Sequence, residues 1–216
     1  PRSKIRPAHD DAVPAVVVAV DRGRYTCLLS AGDLRVTAMR ARELGPKSVV
    51  VGDRVGLVGD VSGRAGALAR IVRLDERTTV LRRTADDDDP VERVVVANAD
   101  QLVIVTSVAE PEPRPRLIDR CLVAAYDSGL EPLLCVTKTD LGDSSSLLAI
   151  YSPLGVATVT TALGANLGAL TERLAGRWSV LVGHSGVGKS TLVNALVPGA
   201  ERAVGQVNVV TGRGRH

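Results

Sequence analysis

Between Val13 and Leu74 the apolar positions fall in short runs separated by turn residues. The runs are Ala15–Val20, Tyr25–Leu29, Leu34–Met39, Val49–Val51, Arg54–Val58 and Ala67–Val72, punctuated by Asp21-Arg22-Gly23-Arg24, Ala31-Gly32-Asp33 and Asp60–Gly63. No helical period runs through them. This rhythm predicts five or six short strands closing into a small β-barrel. An OB-like barrel is the first expectation, and an SH3-like barrel fits the same pattern. Residues 1–12 read as a polar arm, and Thr78–Asp89 as a connector whose acidic run, Asp86–Asp89, reads as a solvated loop.

From Val91 the pattern changes. Val94–Ala97, Leu102–Val105, Leu133–Val136, Ala157–Thr160 and Ser179–Val182 are apolar, strand-like runs. Between them lie helical segments: Leu117–Ser128, with Leu117, Ile118, Cys121, Leu122 and Ala125 on one face, then Ser144–Tyr151, Leu167–Leu174 and Lys189–Leu196. Strands alternating with helices predict an α/β domain with a parallel-sheet core covered on both faces. The expected domains are residues 1–80, an all-β barrel, and 81–216, an α/β domain.

Composition narrows the function. Hydrophobic residues make up 45% of the 216 and aromatics only 2%, with no Phe, which disfavours an aromatic platform for stacking sugars or bases. Residues 1–82 hold 15 basic and 9 acidic side chains, and residues 83–216 hold 12 and 15. The barrel is therefore the half expected to meet a polyanion. Cys27, Cys121 and Cys135 are scattered and odd in number, which argues for buried thiols rather than disulfides or structural zinc. No apolar run approaches a membrane span and no signal peptide is visible, so a cytoplasmic setting is expected. The chain starts at Pro1, so a natural first residue is expected to precede it.

The chemistry is concentrated in Gly183-His184-Ser185-Gly186-Val187-Gly188-Lys189-Ser190, which fits G-x-x-x-x-G-K-[ST] at every fixed position. A strand precedes it and a helix follows. Backbone N–H groups of such a loop wrap phosphates, and the helix N-terminus adds positive potential. Lys189 would reach the β- and γ-phosphates, Ser190 would ligate Mg²⁺, and Thr191 could contact the α-phosphate. His184 reads as a loop side chain rather than a catalytic base.

A second element, Thr137-Lys138-Thr139-Asp140, follows the strand Leu133–Val136 and resembles the guanine-reading [NT]-K-x-D element of GTPases. A carboxylate at Asp140 can accept from both N1–H and the 2-amino group of guanine, a donor pair that adenine lacks. The stem of Lys138 can lie over the base. Thr137 replaces the commoner Asn and can still tie this loop to the phosphate loop. Thr160, at the end of the next strand, is a third candidate contact. Ordinary GTPases place the phosphate loop first. Here the base-reading loop comes first, as a circular permutation would arrange it.

The barrel followed by this permuted order resembles the RsgA (YjeQ) family of small-subunit-dependent GTPases. Gly52-Asp53-Arg54-Val55, Asn98-Ala99-Asp100-Gln101 and Thr211-Gly212-Arg213-Gly214-Arg215-His216 also look like family segments. The resemblance implies GTP hydrolysis with Mg²⁺, stimulation by the small ribosomal subunit, an rRNA-binding barrel and a role in late subunit maturation. It implies too that the α/β domain stops before later switch elements, and that the family's C-terminal zinc module is absent from this chain. Asp60-Val61-Ser62-Gly63, a D-x-x-G match, is read as a turn. A monomer without membrane contact is expected, and no residue is assigned to activating the hydrolytic water. Two alternatives stay open: an ATP-using P-loop enzyme, and an RNA-binding module with a non-hydrolysing nucleotide switch.

Overall fold

The computed structural model describes residues 9, 11–32, 34–45, 49–83 and 93–197. The arm at 1–8, the acidic run 86–89 and the segment Thr211–His216 lie outside the described residues. The chain forms two compact units, Pro1–Thr78 with Val96–Asn98, and Thr79–Val95 with Ala99–His216.

The first unit is a closed five-stranded barrel: β1 (Val13–Asp21), β2 (Arg24–Leu29), β3 (Arg35–Arg40), β4 (Arg54–Gly59) and β5 (Ala69–Leu74). They close in the order β1-β2-β3-β5-β4, with β3 parallel to β5 and the other pairs antiparallel, as in an OB barrel. Each strand sends two buried residues, spaced by two, into the core: Ala15 and Val17, Tyr25 and Cys27, Val36 and Ala38, Val55 and Leu57, Ala69 and Ile71. Period-two alternation makes this inevitable once one face is buried. Aliphatic side chains and the ring of Tyr25 fill the interior without Phe. Arg22 and Gly23, both at positive φ, form the two-residue turn between β1 and β2.

One expectation fails here. Val49–Val51 is not a strand, and Val51 makes a single bridge to Val96. The N–H of Val50 is taken instead by Asp53 Oδ2 at 2.7 Å, which curls the segment into a loop. Asp53 is fully buried, and its carboxylate also receives Arg77 Nε at 2.7 Å and Arg77 Nη2 at 2.9 Å. The neighbouring Gly52 has φ 88°, and a Cβ there would lie 1.9 Å from the Ala97 carbonyl oxygen, so no side chain fits. Asn98 completes the joint: Nδ2 donates to the Gly52 carbonyl at 2.9 Å, and Oδ1 accepts from the Thr78 N–H at 2.8 Å. The Gly52-Asp53 pair and Asn98 are thus parts of one buried fastening within the barrel unit.

The connector and the run Val94–Ala97 also differ from expectation. Val80–Arg83 (β6) and Arg93–Ala97 (β7) form a separate two-stranded sheet rather than a loop and a parallel-sheet strand.

The second unit holds a parallel four-stranded sheet, β10-β9-β8-β11. Its strands are β8 (Gln101–Ser107), β9 (Glu131–Thr137), β10 (Ala157–Thr160) and β11 (Ser179–Val182). The helices are α1 (Pro115–Asp127), α2 (Ser145–Tyr151), α3 (Gly168–Leu174) and α4 (Lys189–Leu196). Central β8 is buried at all seven positions, which explains its unbroken apolar reading. Val103, Val105, Leu133 and Cys135 pack with Leu170 of α3 and Leu192 of α4. Helix α1 packs on β8 and β9 through Ile118, Cys121, Leu122 and Ala125. The hydroxyl of Tyr151 joins α2 to α1 through the Pro115 carbonyl and Asp119 Oδ1.

No helix among the described residues is long and apolar enough to cross a membrane. All three cysteines are free and buried, and burial pushes the thiols of Cys27 and Cys135 up to about 12.

Asp53→Asn removes the buried charge that meets the Arg77 guanidinium and the Val50 N–H. It should cost about 3 kcal/mol of barrel stability, as breaking a buried, hydrogen-bonded ion pair does. Urea unfolding followed by circular dichroism checks this. A loss below about 1 kcal/mol would show that the fastening is dispensable.

Candidate nucleotide site

The order of the sheet decides where a ligand can sit. The chain runs from β8 outward through β9 to β10, then returns to the other side of β8 as β11. The crevice beyond the carboxyl ends of the strands opens at such a reversal. Both loops singled out in the sequence leave from this edge, one from β9 and one from β11.

The phosphate loop begins at Gly183, where a Cβ would meet the Val105 carbonyl oxygen at 2.2 Å. Only glycine allows the loop to start so close to β8. Val187 is buried in the sheet core beside Leu192, so its side chain anchors the loop and only its backbone faces the site. Ser185 and Gly186 are exposed, His184 and Gly188 are half-buried, and Ser190 and Thr191 are exposed on the first turn of α4. The ammonium of Lys189 donates to the carbonyls of Gly183 at 2.8 Å and His184 at 2.7 Å. Burial lowers the pKa of this lysine. His184 Nδ1 lies 2.8 Å from the Ser185 carbonyl oxygen.

The base-reading loop is held by its first residue. Thr137 is buried at the end of β9, and its hydroxyl lies 2.7 Å from the Val187 carbonyl and 3.1 Å from that of Thr106. One proton therefore serves two acceptors, and the shorter contact crosses to the phosphate loop. Lys138 adopts φ 58°, turning the chain so that Thr139 N–H meets the Thr161 carbonyl at 3.3 Å. Asp140 is exposed at the rim.

Thr161, rather than Thr160, joins this loop to β10. Its N–H bonds the Val136 carbonyl at 2.8 Å and its side chain is buried, whereas Thr160 is exposed.

A further wall was missed in the sequence reading. Residues 108–114 form a loop after β8 in which Ser107 Oγ donates to the Pro111 carbonyl at 2.6 Å. Lys138 Nζ donates to the Glu110 carbonyl, and Pro111 Cδ lies 3.5 Å from where a Cβ on Gly186 would be. The stretch touches both functional loops. Pro111 and Pro113, with Pro115 at the first position of α1, were the available signal, since proline is at home in loops and in the first turn of a helix.

The Asn98–Gln101 stretch has a structural part in the second unit as well. Asp100 Oδ2 accepts the Trp178 N–H at 2.7 Å, and Gln101 Oε1 accepts from Ser179 Oγ at 3.1 Å. These bonds fix the start of β11, at the end remote from the phosphate loop. Asp60 accepts the Ser62 N–H at 3.0 Å, and hydrogen bonding to the Ser62 hydroxyl and N–H lowers its pKa, so this D-x-x-G match is a bend in the barrel unit.

Comparison with known proteins gives a consistent set. The RsgA GTPase family profile matches residues 74–216. A protein of Pseudomonas aeruginosa (strain LESB58) named small ribosomal subunit biogenesis GTPase RsgA is 40% identical over 163 residues, covering 72% of this chain and 47% of that protein. One of the same name from Pseudomonas syringae pv. tomato is 42% identical over 179 residues, covering 78% and 50%. The chain therefore spans about half the length of the curated relatives it matches. Among solved structures, YjeQ from Thermotoga maritima superposes with a TM-score of 0.67 at 29% identity, covering 87% of this chain and 66% of that one. YloQ, described as a circularly permuted GTPase, gives 0.62 at 23% identity, covering 88% and 66%, a likeness of fold.

Thr137→Val keeps the shape of the side chain and removes its proton. The buried Val187 carbonyl then loses its partner, which should cost about 1–3 kcal/mol in urea unfolding. Amide exchange across residues 184–188 should accelerate, while Thr137→Ser should restore protection. Unchanged exchange in the valine variant would show that the hydroxyl does not hold the two loops together.

Proposed function

The chain belongs to the RsgA GTPase family, and from that premise we propose that it binds GTP and GDP and hydrolyses GTP during maturation of the small ribosomal subunit. The observation that carries this reading is the Thr137 hydroxyl on the Val187 carbonyl. It ties the Thr137–Asp140 loop to the Gly183–Ser190 loop at one edge of the sheet, which supports reading them as a base-reading loop and a phosphate loop of one site.

Each residue then has a task. Asp140 accepts from the N1–H and 2-amino group of guanine, and the Lys138 stem covers the base. Thr161 holds the base-reading loop through backbone bonds, and Thr160 flanks it. The backbone of residues 183–188 receives the phosphates. Lys189 exchanges two carbonyl oxygens for phosphate oxygens, a better match for an ammonium group. Thr191 lies beside Ser190 on the same turn, in reach of the α-phosphate.

The donor set also suits Mg²⁺. Ser190 offers one hydroxyl oxygen, and no cluster of three or more acidic, His or Cys side chains exists among the described residues. An ion held by one hydroxyl, nucleotide phosphates and water is the usual Mg²⁺ arrangement. When bound, the ion neutralises charge that develops on the phosphates.

The small ribosomal subunit and its rRNA are the partners this reading names, with the basic barrel as RNA contact, in a cytoplasmic monomer. Sequence-independent phosphate contacts dominate such binding, since Tyr25 is the barrel's only aromatic residue.

Calorimetry with GDP, ADP and XDP tests the base assignment. Asp140→Asn should weaken GDP binding by about 2–3 kcal/mol, on the order of a hundredfold, and improve XDP relative to GDP. Equal affinity of the wild-type chain for ADP and GDP would remove the guanine assignment. Lys189→Ala should abolish Mg²⁺-dependent GTP binding and leave the melting temperature near that of wild type. Retained affinity would refute the phosphate-loop reading.

A further inference from the structure

Two hydroxyls end the central strands of the parallel sheet side by side. Ser107 closes β8, Thr137 closes β9, and the two residues are partners in the strand register. Both are buried. Thr137 donates toward Val187 of the phosphate loop and toward Thr106. Ser107 donates to the Pro111 carbonyl at 2.6 Å, inside the 108–114 loop.

That loop lies along the base-reading loop. The Val108 N–H bonds the Thr137 carbonyl at 3.1 Å, and Val108 Cγ2 is 3.7 Å from where a Cβ on Gly142 would be. The Glu110 carbonyl receives the Lys138 ammonium. Among the described residues Lys138 makes no ion pair, so this carbonyl is the fixed point for its side chain. Glu110 and Lys138 both stand at positive φ, 49° and 58°. Such backbone is costly for a residue that carries a side chain, and it persists where the surroundings hold it.

The acceptor is a backbone carbonyl, and this decides what controls the lysine. A carboxylate could follow the ammonium on its own side chain. A carbonyl goes only where its loop goes, and Ser107 is the buried side chain that ties the loop back to the sheet. A lysine stem is long and flexible. Held at its ammonium it stays ordered, and ordering that a flat base would otherwise have to impose on binding is already in place.

We propose that Ser107 is a positioning residue for guanine-nucleotide binding, acting through Lys138. Its hydroxyl sets the path of residues 108–114, the Glu110 carbonyl on that path sets the Lys138 ammonium, and the stem is thereby kept in place to cover the base. The inference rests on reading Thr137–Asp140 as the base-reading loop.

The test is a double-mutant cycle on the full chain, with GDP affinity read by calorimetry. Ser107→Ala should weaken GDP about tenfold, the worth of one hydrogen bond, and Ser107→Thr should restore it. Lys138→Ala should also weaken GDP about tenfold, and the double variant should lie within about twofold of Lys138→Ala alone, since both losses run through one lysine. A second measurement needs no nucleotide. Acetylation of Lys138 by N-hydroxysuccinimidyl acetate, followed by mass spectrometry, should quicken about fivefold in Ser107→Ala as the ammonium loses its tether, with Lys189 labelled at the wild-type rate. Losses that multiply to about a hundredfold in the double variant overturn the proposal, because the 108–114 loop would then act by another route, such as Pro111 beside Gly186. Unchanged labelling of Lys138 overturns it equally, and so does unchanged GDP affinity in Lys138→Ala. If wild type binds ADP as tightly as GDP, the fault lies with the guanine reading, and the cycle run on either nucleotide still decides Ser107. If wild type binds neither, the labelling decides whether Ser107 positions Lys138.

Discussion

The candidate site hangs on a single hydroxyl. Thr137 and Val187 stand 50 residues apart in the chain, and the bond between them fixes the spacing of two loops that have few other ties. It works because both partners are buried, so water does not compete for the carbonyl and the bond approaches its low-dielectric strength. The surrounding order follows from it. Gly188 packs against Thr137, Val187 stays in the core, and Lys189 is delivered to the rim.

Much of this was legible because local chemistry and global fold agree. Helix α4 and strands β10 and β11 were read from sequence with their observed limits, since strand, glycine-rich turn and helix succeed one another without ambiguity. The barrel strands were legible as short apolar runs, each with a period-two pair of core residues. The failures have separate causes. Val49–Val51 has the composition of a strand, yet its amide is claimed by Asp53, a side chain that no pattern of hydrophobicity reveals. Val94–Ala97 was assigned to the wrong sheet because β-branched content announces a strand without naming its partner. The loop after β8 and the role of Thr161 escaped because both act through backbone groups, which leave little trace in residue identity.

The resemblance segments divide in an instructive way. Thr137–Asp140 and Gly183–Ser190 face the crevice, while Gly52-Asp53 and Asn98–Gln101 do not. The latter are fastenings, one inside the barrel unit and one at the foot of β11. A polar motif can be a fastening rather than a site, and two aspartates show the contrast. Asp53 is fully enclosed and bonded, whereas Asp140 stands at an open rim.

Trp178 is the only tryptophan in the chain, and it sits where Asp100 clamps the foot of the strand that carries the phosphate loop. Its side chain is about half exposed. The intrinsic indole emission of the protein is therefore a built-in gauge of one place. It reports on whether β11 is docked in its sheet, and so follows the unfolding of that sheet without any added label.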